Sequence, residues 1–317
     1  MKILVTGGSG FIGSNYIQQR FEKGHDFIIN IDKGTYASNP WYERSFPKDR
    51  YQKITDDINN IMNYEKELED IELIVNFAAE SHVDNSIRDS YNFLMSNIVG
   101  TQRLLEFARK HDIRFHQIST DEVFGSLDPD SSDMFTPERC YDPKNPYSAT
   151  KASADFLAKS YVNTYGMKIT ISNCSNNYGM HQHPEKLIPK TIINAFHSRK
   201  IPVYGNGEQI RDWIHVRDHN EAVDFIIEKG KPGNIYLIGS RNQRRNIDVV
   251  KMILSFMKRS EDLIEYVKDR PGHDRRYAMD PTTTESLGWK PKIEFEEGLK
   301  NTVEHYVENI SVYEKML

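Results

Sequence analysis

Apolar residues open the chain as a block, Ile3-Leu4-Val5, and then recur at helical spacing as Ile12, Tyr16, Ile17 and Phe21, with a glycine-rich turn between the two patterns. A continuous apolar run predicts a strand covered on both faces, and recurrence every three to four residues predicts a helix with one apolar face. The alternation repeats along the first half. Strand-like runs at Phe27–Asp32, Tyr51–Ile54, residues 71–79, Arg114–Ser119 and Lys168–Cys174 are interleaved with helical patterns at Phe93–His111 and Ala152–Tyr165. Strands alternating with helices predict an α/β fold, a doubly wound parallel sheet with right-handed crossovers.

Beyond residue 175 the pattern breaks up. Asn176-Asn177-Tyr178-Gly179 is rich in turn formers, a proline-bounded segment runs from Pro184 to Pro189, and Gly205-Asn206-Gly207 is a tight turn. Short strands at Trp213–Val216, Asn234–Ile238 and Ile264–Val267 then alternate with helices at His219–Lys229 and Asp248–Met257. The expected division is a dinucleotide-binding domain over residues 1–175 and a smaller α/β substrate-binding lobe over 176–317, with segments near 212–240 returning to the first.

The first turn reads Thr6-Gly7-Gly8-Ser9-Gly10-Phe11-Ile12-Gly13, between a strand and a helix. In that context Gly7 allows the tight turn, Gly10 lets the backbone approach a diphosphate, and Gly13 lets the helix pack closely. This is the Rossmann arrangement for a dinucleotide. The second strand ends in Asp32, where a carboxylate receives a ribose diol and repels a 2′-phosphate, so NAD is expected rather than NADP, with Lys33 as an opposing neighbour. Ala78 and Ala79 are small enough for a cofactor to lie close, and Asp57-Ile58 either flanks an adenine or begins a helix with Asp57 as its cap.

Two further stretches carry chemistry. Tyr147 and Lys151 stand four apart at the start of a helical pattern and project from one face, so the ammonium can favour the phenolate of a residue whose ordinary pKa is near 10. Tyr147 is then a base for a substrate hydroxyl, and Lys151 can also hold a ribose. Thr120-Asp121-Glu122 closes the strand before it, and Gly125 turns the chain so that both carboxylates reach one substrate. Plain alcohol oxidation needs no such pair. A ketone makes the hydrogen on its neighbouring carbon acidic, and an acid with a base can then eliminate water across the next bond; two adjacent carboxylates suit this because their pKa values separate.

Composition narrows the class. The chain has 317 residues, net charge −5 and no apolar run near the length of a membrane span, so neither a nucleic-acid nor a membrane partner is expected. Two cysteines, Cys140 and Cys174, suggest neither a disulfide framework nor a metal site, and fit a cytoplasmic protein. Lys186, Arg211, Arg270 and His273 lie among the cations of the second half, the last three in contexts suited to a diphosphate.

Together these residues resemble the extended short-chain dehydrogenase/reductases and, within them, the nucleotide-sugar 4,6-dehydratases. The similarity runs from the glycine turn through Ser119-Thr120-Asp121-Glu122-Val123 to Asp269-Arg270-Pro271-Gly272-His273-Asp274-Arg275-Arg276-Tyr277. It implies NAD-dependent dehydration of dTDP-glucose to dTDP-4-keto-6-deoxyglucose in deoxysugar formation, with a UDP-glucose 4,6-dehydratase or a 4-epimerase as the enzymic alternatives and a non-catalytic NAD-binding regulator as a third. Under this resemblance Tyr147 starts C4 oxidation, Thr120 orients the 4-hydroxyl, Asp121 protonates the leaving C6 hydroxyl and Glu122 removes the C5 proton. Phe11, Ile12, Asp32, Lys33, Thr35, Asp57, Ile58, Ala78, Ala79, Ser96, Tyr147, Lys151 and Asn177 correspond to cofactor contacts. Ser81, Asn176, Lys186, Leu187, Pro202, Val203, Tyr204, Arg211, Asn246, Asp269, Arg270 and His273 correspond to substrate contacts. A homodimer through the apolar faces at Phe93–Ala108 and Ala152–Tyr165 is also implied. Asn85 stands where the dTDP enzymes usually have Arg, Met180 and His183 replace a usual Pro and Phe, and Phe124 replaces a usual Tyr.

Overall fold

The apolar runs form the interior of one sheet. In the computed structural model, which describes residues 1–269 and 272–316, the strands are β1 (Lys2–Thr6), β2 (Phe27–Ile31), β3 (Tyr51–Ile54), β4 (Leu73–Asn76), β5 (Arg114–Thr120), β6 (Ile169–Cys174), β7 (Asn176–Tyr178), β8 (Ile201–Tyr204), β9 (Ile210–His215), β10 (Ile235–Ile238), β11 (Gln243–Arg245) and β12 (Ile264–Val267). Seven of them pair in parallel in the order β10-β6-β5-β4-β1-β2-β3. The order reverses beside β1, and in an open parallel sheet the crevice at the carboxyl ends of such strands is where ligands bind.

Helices cover both faces of this sheet. On one, the helices Thr101–Lys110 and Pro146–Tyr165 bury Leu104, Leu105, Ala152 and Ala158 against Leu4, Ile74, Phe115 and Ile171. On the other, the helices Phe11–Lys23 and Val216–Lys229 bury Tyr16, Ile17, Val223 and Ile226 against Ile3, Val5 and Ile238. A third apolar cluster joins Tyr178 and Trp213 to the helices Leu187–Phe196, Asn246–Phe256 and Phe295–Glu308.

Several elements differ from the sequence pattern. The catalytic helix starts at Pro146 rather than Ala152, because Asn145 caps it: its side chain accepts from Ser148 N while the Ser148 hydroxyl accepts from Asn145 N. A π-helical turn, Leu94–Gly100, interrupts the Phe93–His111 helix and carries Ser96 and Asn97. The run at 71–79 is extended only over Leu73–Asn76, so Phe77 to Ser81 leave the sheet as a loop. Within the segment expected to return to the main sheet, β10 does pair with β6, whereas β9 lies between β7 and β11 in a separate three-stranded sheet. A strand carrying Arg211, Asp212 and His215 needs polar partners that a doubly covered strand does not offer.

Candidate active site

The turn after β1 is shaped by what its glycines exclude. Gly7 has φ +68°, and a Cβ there would stand 2.6 Å from Ala78 N; a Cβ on Gly13 would stand 2.5 Å from Gly7 O. Gly10 is the helix N-cap and offers no side chain, so the amides of the first turn, which have no intrahelical partner, face a cleft of about 330 Å³ lined by Gly7, Gly10, Phe11, Ile12 and Gly13. Asp32 lies at the cleft wall, its carboxylate accepting from Ser9 N at 3.0 Å and Gly34 N at 2.8 Å. Lys33, Thr35, Asp57, Ile58, Ala78, Ala79, Ser96 and Asn177 line the same cleft. Asp57 is also a helix cap, accepting from Asn59 N at 2.9 Å. Lys33 is not directed at a ribose phosphate: Nζ is 3.0 Å from Glu80 Oε1 and donates to Ser96 Oγ at 3.0 Å. Backbone amides for a diphosphate, a carboxylate for a diol and a neutralised lysine fit NAD.

Farther along the cleft, at the ends of β5 and β6, stand Thr120, Asp121, Glu122, Tyr147, Lys151 and Asn176, and Ser81 and Lys186 also line it. Thr120 ends β5 and caps a short 3₁₀ turn, Asp121–Phe124, which Gly125 closes at φ +77°. That turn brings both carboxylates to one side. Asp121 is 3% exposed, and Oδ2 has no hydrogen-bond partner among the described residues. Burial, and next the Glu122 charge, push its pKa well above the usual carboxylate range, which favours the protonated acid. Glu122 differs: its Oε2 accepts from Asn145 Nδ2 at 3.2 Å. The two neighbouring carboxyls thus stand in different surroundings, an arrangement that suits an acid and a base.

Tyr147 and Lys151 project side by side from the capped helix. Lys151 Nζ donates to Ile118 O at 2.6 Å, and burial pulls its pKa down while Asp155 opposes the fall. Tyr147 departs from expectation. Burial, followed by the Glu122 carboxylate, holds the phenol well above its ordinary pKa, so Lys151 alone does not produce a phenolate in the protein without ligands.

Not every predicted substrate residue reaches this cleft. Arg211 is buried, donates to Ile210 O and Asp274 O, and stacks on the Tyr277 ring at 4.2 Å. Leu187 heads a helix, Pro202, Val203 and Tyr204 belong to β8, and Asn246 heads another helix. His273 lies 2.6 Å from Asp269 and against the Tyr204 ring. None of these lines the cleft, and Arg270 lies outside the described residues. Sequence reasoning missed Glu80, Gln182 and Glu185, which do line it.

A dinucleotide cradle sharing one cleft with a Tyr/Lys pair and two neighbouring carboxyls defines an NAD-dependent enzyme of the extended short-chain dehydrogenase/reductase class. The family described as GDP-mannose 4,6 dehydratase matches residues 4–302. A dTDP-glucose 4,6-dehydratase of Mycobacterium tuberculosis is 44% identical over 98% of this chain and 95% of its own length. Two solved structures align over 100% of both chains: a dTDP-glucose 4,6-dehydratase of Streptomyces venezuelae with NAD and TYD bound, 37% identical with TM-score 0.97, and one of Bacillus anthracis with NAD, 40% identical with TM-score 0.93. The chain belongs to the dTDP-glucose 4,6-dehydratase family.

Proposed function

We propose that this protein dehydrates dTDP-glucose to dTDP-4-keto-6-deoxyglucose, with NAD bound throughout the cycle. The observation that carries this is the meeting, in one cleft, of Tyr147 and Lys151 with the buried Asp121 beside Glu122. When bound in the cradle of Gly7, Gly10 and Gly13, NAD would supply the hydride acceptor for C4 and the donor for C6, and its nicotinamide charge would favour the Tyr147 phenolate. Tyr147 Oη accepts the proton of the C4 hydroxyl, and the Thr120 hydroxyl orients that group. The resulting C4 ketone acidifies C5, whose proton passes to Glu122. Asp121 protonates the C6 hydroxyl, which leaves as water, and Glu122 returns a proton to C5 after C6 is reduced. Plain oxidation and 4-epimerisation leave Asp121 and Glu122 without a task.

Ser81, Asn176 and Lys186 are the substrate contacts the cleft supports. Leu187, Pro202 to Tyr204, Arg211, Asn246, Asp269 and His273 belong to the lobe expected to bind the nucleotide sugar. Residues 1–175 with β10 hold the cofactor and the remainder mainly the nucleotide sugar. A homodimer is supported by apolar side chains left on the surface of the two helical faces, Leu94, Phe156 (58% exposed) and Tyr165, and of the short helices just before the first, Ile87 and Tyr91 (64% exposed); a monomeric mass at micromolar concentration contradicts it. Cys140 and Cys174 are unpaired, which suits the cytoplasm.

The test is incubation of the purified protein with dTDP-glucose and, separately, UDP-glucose. Loss of one water from the dTDP sugar, without net NADH, is expected. An unchanged product mass, or steady accumulation of NADH, overturns the proposal.

A further inference from the structure

Tyr147, Lys151 and Asp155 form one ridge of the Pro146–Tyr165 helix, successive turns of a single face. The first two meet the cleft. Asp155 does not: it is 0% exposed and points into the interior between that helix and the ends of β5 and β6. A carboxylate in such a place is expensive unless it is satisfied. Its Oδ2 accepts from the hydroxyls of Ser119 at 2.6 Å and Tyr141 at 3.0 Å and from Asn173 Nδ2 at 3.3 Å, while Oδ1 has no partner among the described residues.

The donors are informative. Ser119 immediately precedes Thr120-Asp121-Glu122, and the same Asn173 Nδ2 also donates to Thr120 O at 3.0 Å. Asp155 thus ties the strand end that carries the acid/base pair to the helix that carries Tyr147 and Lys151. It also faces a need. The only hydrogen bond found for the buried Lys151 ammonium is to Ile118 O, among the described residues, and the groups around it are Tyr147, Cys174 from β6, and Asp121 and Glu122 beyond Tyr147. Burial favours the neutral form of Asp121, Glu122 is engaged with Asn145, and the Cys174 thiol is raised to about 12, hence neutral. Asp155 is the remaining anion on the lysine's own helix face.

We infer that Asp155 is a positioning residue for the oxidation step: its buried carboxylate is the counter-ion that keeps Lys151 protonated, while its hydrogen bonds fix the Tyr147/Lys151 helix against the strand end bearing Thr120, Asp121 and Glu122. Burial raises the pKa of Asp155 only to about 6, the Lys151 charge restraining the rise, so the carboxylate is ionised at pH 8. No proton moves to or from Asp155 during turnover.

The proposal rests on the dehydratase function above, so the wild-type protein must first release water from dTDP-glucose; failure there refutes that function and leaves Asp155 aside. In Asp155→Asn the hydrogen-bonding outline survives and the charge does not. Loss of a counter-ion within a helical turn lowers the Lys151 pKa by roughly one unit or more. The alkaline limb of the kcat profile, where Lys151 deprotonates, therefore moves about one unit or more toward lower pH, kcat at pH values on that limb falls about tenfold or more, and KM changes little. Asp155→Glu, which keeps an anion, restores part of the shift. Tyr141→Phe, which removes one donor and keeps the charge, leaves the limb in place. An Asp155→Asn enzyme that is slower at every pH with an unmoved alkaline limb overturns the inference. Should that variant not fold, ¹³C-aspartate NMR of the wild-type protein decides, with the Asp155 carboxyl identified by its shift in Tyr141→Phe: an ionised signal at pH 8 supports the counter-ion role, and a protonated one overturns it.

Discussion

A single methyl group at Gly7 tests whether the first turn is built for a diphosphate. The residue has φ +68°, and its Cβ would lie 2.6 Å from Ala78 N, 2.7 Å from Ala78 Cα and 2.8 Å from Phe77 C. These are backbone atoms and cannot swing aside. Separation from 2.6 Å to an ordinary 3.4 Å requires the turn or the Phe77–Ala78 segment to move by 0.8 Å. The left-handed conformation costs an alanine roughly 1–2 kcal/mol. Forced displacement of a packed segment adds about 1–3 kcal/mol, so Gly7→Ala should destabilise by about 2–5 kcal/mol. Two other glycines separate the contributions. Gly166 has φ +66° with nothing within 4 Å of an added Cβ, so Gly166→Ala carries the conformational cost alone; Gly24 is extended and open, so Gly24→Ala should be neutral or stabilise by up to about 1 kcal/mol. Because both Ala78 and Gly7 line the cleft, relief of the clash displaces the cofactor surface. NAD affinity should then fall at least about tenfold in Gly7→Ala, a change of about 1.4 kcal/mol, and stay unchanged in the other two. Urea denaturation and calorimetric titration of NAD measure both quantities. If Gly7→Ala is no less stable than Gly166→Ala and holds NAD normally, the close approach at Ala78 is not a constraint on the site.

Acid sensitivity follows from buried histidines. Burial depresses His116 to about 3 and His219 to about 4, so both are neutral when folded and titrate near 6.5 when unfolded. Their contribution is present above pH 6.5 and is lost as pH falls toward 4, about 2 kcal/mol each at pH 5, and His116→Gln should remove its share of that slope in urea denaturation; an unchanged slope contradicts the assignment. Cofactor choice rests on Asp32 with Lys33 held by Glu80. Asp32→Ser combined with Glu80→Gln should raise NADP affinity about tenfold or more, by removing one anion from the diol site and freeing a cation; equal NADP binding by wild type and variant contradicts this.

The sheet was legible in the sequence because strands such as β1, β4 and β10 are runs of buried apolar residues, and the glycine turn because only glycine satisfies its geometry. Asp121 and Glu122 were legible as a pair at a strand end, and the Asn145-Pro146 start of the catalytic helix could have been read as a cap followed by a proline in the first turn. The pairings that tune the site were not legible. Lys33 with Glu80, Glu122 with Asn145 and Asp155 with Ser119 and Tyr141 are contacts between residues 14 to 47 positions apart, which periodicity does not report. The same holds for Tyr147, whose phenol responds to burial and to Glu122 more strongly than spacing from Lys151 suggests, and for Arg211, whose enclosure by Tyr277 and two carbonyls depends on the path of residues 274–277.

The central claim is that Asp121 and Glu122 act on the sugar after oxidation, as acid and base in that order of assignment. It is tested most directly by following solvent deuterium into C5 during incubation of dTDP-glucose with Asp121→Asn and Glu122→Gln, alongside the rate of water loss. General acid and base groups are typically worth about 10² to 10⁴ in rate, so both variants should lose water far more slowly than the wild type. Asp121→Asn, which retains the base, should still wash deuterium into C5 of the ketone; Glu122→Gln should do so slower by about the same factor. Equal exchange in the two variants would mean that the carboxylates are wrongly assigned or that neither one touches the sugar.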